Sequence, residues 1–211
     1  MMVVGFWTAG TPYEAEAVEL VKTLKAFGLA YDVREYPHPG SWVKATLLLP
    51  QVVQDARARY PGQTLLYLDA DARVRQPLSE ASGWTRGGVP ALRHFEKSTD
   101  DVGFYFLPNG RSIDATHEEL CTGTMLWKDT IAANTVLTAW VEACRTVDAE
   151  GRRGQDQEIL QRLLPSQSYI KVWRLPHEWC WMDIISDRLG KLDPIIYHTQ
   201  ASRRFRKAVS A

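Results

Sequence analysis

The chain of 211 residues lacks several things, and each absence removes a class of function. Net charge is absent: lysine plus arginine equals aspartate plus glutamate, at 25 each. A chain with no overall field is not steered toward nucleic acid or an anionic membrane, so either partner would have to meet a local patch. Long apolar runs are absent, and no stretch approaches the roughly 20 apolar residues that cross a bilayer. The opening Met1-Met2-Val3-Val4-Gly5-Phe6-Trp7 is apolar but has neither a basic lead segment nor a small-residue cleavage site, so it does not read as a secretory leader. The expectation is a soluble, cytoplasmic protein with no membrane partner. Cysteine is scarce. Cys121, Cys144 and Cys180 are odd in number and form no C-x-x-C pair, which argues against a disulfide framework or a zinc site and for reduced, mostly buried thiols. Also missing are a G-x-x-x-x-G-K-[ST] phosphate loop, a G-x-G-x-x-G after the first strand and a serine nucleophile elbow. No internal repeat, low-complexity segment or long linker is found.

What is present is an ordinary globular composition, 45% hydrophobic and 24% charged, in a length that suits one domain. Residues 3–8 form an apolar run expected to be a buried strand, and Gly10-Thr11-Pro12 a turn. Over 13–27, Val18, Val21, Leu24 and Phe27 recur three apart between charged residues, which predicts an amphipathic helix ended by Gly28. A strand is expected at 30–35, a helix over 42–60 kinked at Pro50, and an apolar strand at 64–68. Strand, helix, strand, helix, strand is the pattern of a parallel sheet covered by helices. Strands are further expected at 102–107, 119–127, 169–175 and 194–198, with Asn109-Gly110 as a turn and helices over 132–146 and 155–164. The fold class is α/β: one domain over 1–211, with a mostly parallel central sheet flanked by helices.

The strand at 64–68 runs straight into Asp69-Ala70-Asp71. In α/β sheets ligands bind beyond the carboxyl ends of the strands. Two carboxylates at i and i+2 in that place can converge on one hard cation, magnesium or manganese. Such an ion screens a diphosphate and offsets the charge that develops on it as a leaving group. Alone, Asp-x-Asp is also what a solvated strand-end turn looks like. A phosphatase of the D-x-D-x-[TV] type uses the motif too, but on its first strand, whereas here it follows the third and the fifth position is Arg73.

Four ordered stretches carry a resemblance: Leu66-Tyr67-Leu68-Asp69-Ala70-Asp71-Ala72, Thr122-Gly123-Thr124, Gly154-Gln155-Asp156-Gln157, and Ile196 through Arg204. Together they resemble the GT-A glycosyltransferases, the small nucleotide-diphospho-sugar transferases of bacteria and phages. The resemblance implies a Rossmann-like GT-A fold, with a nucleotide-binding half over 1–75, an acceptor half over 76–200 and a basic tail over 201–211. It implies a nucleotide-diphosphate sugar donor, UDP-linked, and a divalent ion, manganese or magnesium. Asp69, Asp71 and His198 would be metal ligands, and Asp69 and Ala70 would also face the donor. Asp156 is the implied catalytic residue, with Gln155 beside it. Asp156 would accept hydrogen bonds from donor hydroxyls or serve as general base, the latter only in an inverting enzyme. Thr8, Ala9, Tyr13, Trp42 and Lys44 would line the nucleoside pocket, and Gly123 would let the backbone approach the donor. Arg203, Arg204 and Lys207 would cover the diphosphate. Trp179 and Trp181 are placed on the acceptor side. His38, His94, His117 and His177 have no comparable context.

Each role has a plainer alternative. His198 can be a strand-end histidine bonded to backbone, Asp156 a helix-start acid, Tyr13 a core aromatic, the basic tail a solvated charge run. The acceptor stays open among a saccharide, a hydroxylated nucleic-acid base, a protein and a lipid-linked group. A domain that holds nucleotide-sugar without turnover is the second class of function. A nucleotidyltransferase would carry a Gly-rich basic loop near the start, and Gly5 to Gly10 offers none. No His-x-x-Gly-x-Lys motif follows His198, so stereochemistry is not carried over.

Overall fold

The computed structural model describes residues 1–78, 91–107, 118–183 and 193–209, with side chains in the last stretch described as far as Phe205. Three strands near the start set the frame: β1 (Met2–Thr8), β2 (Tyr31–Tyr36) and β3 (Leu65–Leu68). β1 pairs parallel with both others, so Thr8, Tyr36 and Leu68 end at one edge. β3 is Leu-Leu-Tyr-Leu and wholly buried, as a strand covered on both faces must be. Its side chains alternate. Leu66 and Leu68 join Val3, Leu20 and Leu24 on one face, and Leu65 and Tyr67 join Val4, Val53, Val136 and Trp140 on the other.

The sheet continues with β5 (Val102–Leu107), β6 (Glu119–Trp127) and β7 (Val172–Arg174), in the order β2-β1-β3-β6-β5-β7. β6 runs antiparallel to both β3 and β5, while β5 and β7 are parallel. The expected turn at Asn109-Gly110 lies outside the described residues. A small second sheet joins β4 (Ala72–Val74) to β8 (Ile196–His198), antiparallel, with Ala72 opposite His198. The sequence had not suggested β4.

The first helix, α1 (Tyr13–Ala26), carries Glu14 and Glu16 in its first turn and Lys25 in its last, matching the helix dipole. Gly28 follows it at φ 61°, a conformation that glycine takes without strain. The single kinked helix expected over 42–60 is two helices, α2 (Trp42–Leu47) and α3 (Leu49–Arg59). Pro50 does not kink the second. It sits in the first turn, where its missing N–H costs nothing. The other helices are α4 (Ala91–Lys97), α5 (Ile131–Ala149), α6 (Asp156–Leu163) and α7 (Ala201–Val209). α7 is the expected basic tail, folded as a helix. Trp179 and Trp181, read as acceptor-side aromatics, are 0% and 5% exposed and belong to the core under β4 and β8. The three cysteines are free and buried. Among the described residues no helix is long and apolar enough to cross a membrane.

Candidate active site

The parallel strands end at a cavity of about 710 Å³. β1 supplies Phe6, Trp7 and Thr8 to its wall, α2 supplies Trp42, Ala45 and Thr46, and the β3–β4 turn supplies Asp69, Ala70 and Asp71. Thr122 of β6 and Asp156 of α6 close the far side, and Ser202 and Phe205 of α7 reach in from the C-terminus. The described lining carries three aspartates and His38, with no lysine or arginine.

The geometry at the acidic turn follows from the sheet. Asp69 leaves β3 still paired with β6, its N–H donating to Gly123 O at 3.0 Å. Its side chain accepts from the buried Tyr67 hydroxyl at 2.9 Å. Ala72 N–H donates back to Asp69 O at 2.9 Å, which closes the turn. Asp71 is held from the C-terminal side: Thr199 N–H donates to its carbonyl at 3.1 Å and Ala201 N–H to its Oδ2 at 2.8 Å. The pairing of β4 with β8 delivers His198 to the same place. His198 Nδ1 meets Asp71 Oδ1 at 3.3 Å, and Nε2 is hydrogen-bonded to Thr124 Oγ1 at 2.8 Å. Asp69, Asp71 and His198 each offer one ligating atom, and these atoms lie within 4.8 Å of one another.

Burial sets the charges. Burial, then the neighbouring Asp71, push the Asp69 carboxyl up to about 6. Burial also works against ionised Asp71, but the His198 bond, the Ala201 N–H and Arg73 outweigh it and hold Asp71 below the usual range. For His198 burial disfavours the cation, yet Asp71 and Asp69 together raise it above its ordinary value. Asp156 is 5% exposed and accepts from Thr122 Oγ1 at 2.8 Å. Burial pushes its carboxyl up to about 7 despite that bond. A carboxyl poised near neutrality inside a cavity is the pattern of a group that exchanges a proton.

The structure therefore brings together Thr8, Tyr13, Trp42, Asp69, Ala70, Asp71 and Asp156 at the cavity, with His198 behind the carboxylates. Gly123 also borders the cluster: a Cβ there would stand 3.1 Å from both Asp69 Oδ2 and His198 Cε1. Other expected residues do not line the cavity. Lys44 is ion-paired with Asp148 at 3.1 Å. Ala9 is engaged in the sheet, its N–H donating to Tyr36 O at 2.9 Å. Gln155 precedes α6 without capping it. Arg204 turns to Glu16 at 2.6 Å, Arg203 is exposed, and the Lys207 side chain lies outside the described residues. His38, set aside from the sequence, does line the cavity. Thr46, Thr122 and Phe205 were missed as well, since hydroxyls and single aromatics carry no motif.

No family model matches the chain, and no curated protein matches it either. Solved structures do. A glycosyltransferase involved in the glycosylation of the major capsid of PBCV-1 aligns over 100% of this chain and 99% of its own, with TM-score 0.67 and 12% identity. The galactosyltransferase LgtC, in complex with donor and acceptor sugar analogs, aligns over 100% and 95%, with TM-score 0.55 and 12% identity. The glycosyltransferase GlyE of Streptococcus pneumoniae TIGR4 aligns over 94% of this chain and 54% of its own, with TM-score 0.53 and 16% identity. The chain has the GT-A fold of these enzymes.

Proposed function

We propose that this GT-A-fold chain is a metal-dependent glycosyltransferase that moves a sugar from a nucleoside-diphosphate donor, a UDP-sugar, to an acceptor hydroxyl. The observation that carries the reading is the convergence of Asp69, Asp71 and His198 where the parallel strands end on an apolar-walled cavity. Fold alone would not support it, because one fold hosts many activities.

The residues present fit a divalent ion. Two carboxylates suit manganese or magnesium, and the imidazole favours manganese of the two. Glycine at 123 keeps the space between Asp69 and His198 that a Cβ would fill. Thr124 holds one ring nitrogen of His198, which orients the other toward Asp71, as the outer partners of metal-binding histidines do. When bound, the ion screens the diphosphate and offsets the charge developing on it as leaving group.

The chain's own groups are assigned the remaining work. Trp42 Nε1–H donates to Tyr13 Oη at 3.1 Å, which fixes two aromatic rings as a wall for the nucleoside beside Thr8. The nucleotide is assigned to the 1–75 half and the acceptor to the 76–200 half. Asp156 is a carboxylate above about pH 7, able to accept a hydrogen bond from a sugar hydroxyl. In an inverting reaction it takes the acceptor's proton as the bond from C1 to the diphosphate breaks and the bond to the acceptor oxygen forms. The acceptor proposed is a saccharide or a hydroxylated nucleic-acid base.

The test is a panel of UDP- and GDP-sugars with manganese, magnesium or EDTA, scored by release of nucleoside diphosphate, with Asp71→Ala as control. Metal-dependent release from one donor, lost in Asp71→Ala, is expected. No release and no thermal shift with any donor would sink the reading.

A further inference from the structure

Of the three acids on α1, Glu14 and Glu19 are exposed but Glu16 is only 8% exposed. A carboxylate that deep needs partners, and three surround it. Oε2 is ion-paired with Arg73 and accepts from Thr199 Oγ1 at 3.3 Å, and Oε1 accepts from Arg204 Nη2 at 2.6 Å. These partners come from the two stretches that build the acidic cluster. Arg73 follows Asp71 by two residues. Its Nη1 donates to Ala70 O at 3.2 Å, Ala72 O at 2.8 Å and Glu16 O at 3.2 Å, so the guanidinium braces the turn that carries Asp69 and Asp71. Thr199 adjoins His198, and Arg204 lies in the first turn of α7, whose Ala201 N–H binds Asp71 Oδ2.

We infer that Glu16 is a positioning residue for the Asp69–Asp71–His198 cluster, fastening the acidic turn and α7 to one another from behind; this rests on the metal reading of that cluster. The charges explain the choice of residue. The Arg73 side chain is 12% exposed, so without Glu16 its charge would stand buried and unpaired. It would then leave the carbonyls of the turn to reach water. Arg204 is 55% exposed, and its pair with Glu16 sets where α7 lies more than how stable it is. Once seated, α7 brings Phe205 edge-on to Tyr13, with ring centroids 5.1 Å apart, and points Ala201 N–H at Asp71.

Manganese uptake by the full chain, read from the loss of the free-ion EPR signal, tests this without substrate or turnover. Glu16→Gln keeps size but removes the charge and leaves one acceptor oxygen where Arg73, Thr199 and Arg204 all donate. Residues bonded to a metal ligand typically change affinity by roughly tenfold to a hundredfold; Glu16 acts through Arg73 and Thr199, so a loss at the lower end, about tenfold, is expected. Arg204→Gln, a surface change that leaves the fold intact, is expected to weaken binding by a few-fold, and it carries the test if Glu16→Gln does not fold. Melting curves taken alongside show that each titrated variant is folded. A merely structural role would lower the melting temperature and leave manganese affinity within about twofold of the parent, and that result overturns the inference while the metal reading stands. A parent protein that takes up no manganese overturns both.

Discussion

Raising the pH is expected to destabilise the metal-free protein, and manganese to reverse the loss. Burial pushes Asp156 from an ordinary 3.8 up to about 7. Burial and Asp71 push Asp69 up to about 6. A raised carboxyl keeps its proton in the folded state after the unfolded chain has released it. Between about pH 4 and 7 the folded state therefore binds more protons, and stability falls as pH rises. His198 acts in the same direction. Its folded value is raised, so its contribution is present below about 6.5 and fades as pH climbs through the folded value. Asp71 has the opposite sign, as have Asp32 and Asp129, but depressed carboxyls confine their loss to acid below about pH 4; half-buried His177, lowered by burial, adds stability only as pH rises to about 6.5 and offsets part of the fall. Taking Asp156 alone, a gap of roughly three pH units corresponds to about 4 kcal/mol. In a chain of this size each kcal/mol moves Tm by about 2–4 °C, and about two of those units lie above pH 5, which gives a fall of about 5–11 °C from pH 5 to pH 8. Free manganese at about 100 times its Kd returns about 2.7 kcal/mol. Binding needs Asp69 ionised, so one pH unit below its folded value the affinity is about tenfold weaker and the return about 1.4 kcal/mol smaller. Thermal melting at pH 5, 6, 7 and 8, in EDTA and in manganese, reads both effects. The reasoning is refuted by a melting temperature in EDTA that is flat or rises from pH 5 to 8, or by a manganese shift of equal size at both ends.

Asp156→Asn removes the charge but keeps an oxygen for Thr122, so turnover is expected to fall about a hundredfold or more while the metal-free protein melts a few degrees higher at pH 8; activity and melting assays at that pH check the two together. Gly123→Ala places a methyl 3.1 Å from Asp69 Oδ2 and His198 Cε1, and manganese affinity measured by EPR is expected to drop at least about tenfold. Trp140→Phe removes the buried donor at 2.9 Å from the Asp156 carbonyl, and denaturant melts are expected to show a loss of about 1–3 kcal/mol with unchanged metal affinity.

The first seventy residues were legible because their signals are local. The apolar run at 3–8, the mixing of apolar and charged residues through α1 and the four buried residues of β3 each announce an element within a few positions, although α1 buries Ala17, Leu20 and Leu24 and leaves Val18 exposed instead of burying the row Val18, Val21, Leu24 and Phe27. Asp69 and Asp71 stood out because they interrupt that buried run at the strand end, where an α/β sheet binds ligands. The break at Leu48 was not legible. Proline is read as a kink when the helix is taken as one piece and as a first-turn residue when it is two, and composition does not say which. The basic tail misled for a related reason. Arg203 and Arg204 were read by their charge, but α7 fixes their directions: Arg203 stays exposed and Arg204 turns toward a carboxylate 188 positions earlier.

The meeting of Asp71 and His198 shows what a single sequence holds back. The two are 127 positions apart, and a three-residue pairing, Ala72 to Val74 against Ile196 to His198, brings them together. The strand at 194–198 is read from the sequence, but its partner, the three residues of β4, carries too few alternations to register as a pattern. What sets their pairing is distributed: Trp179 and Trp181 buried beneath it, Arg73 bound to three carbonyls, and Glu16 closing the charge behind. The tryptophans placed on the acceptor side thus pack beneath the histidine-bearing strand, where Trp181 bonds its backbone, and the arginine that argued against a phosphatase motif braces the acidic turn. Residues of both kinds looked like candidates or bystanders because their partners are distant in sequence. Their contribution is to keep one ligating atom from each of two carboxylates and an imidazole within 4.8 Å of one another, with Asp71 paired to His198 and Asp69 raised by burial and by its neighbour Asp71.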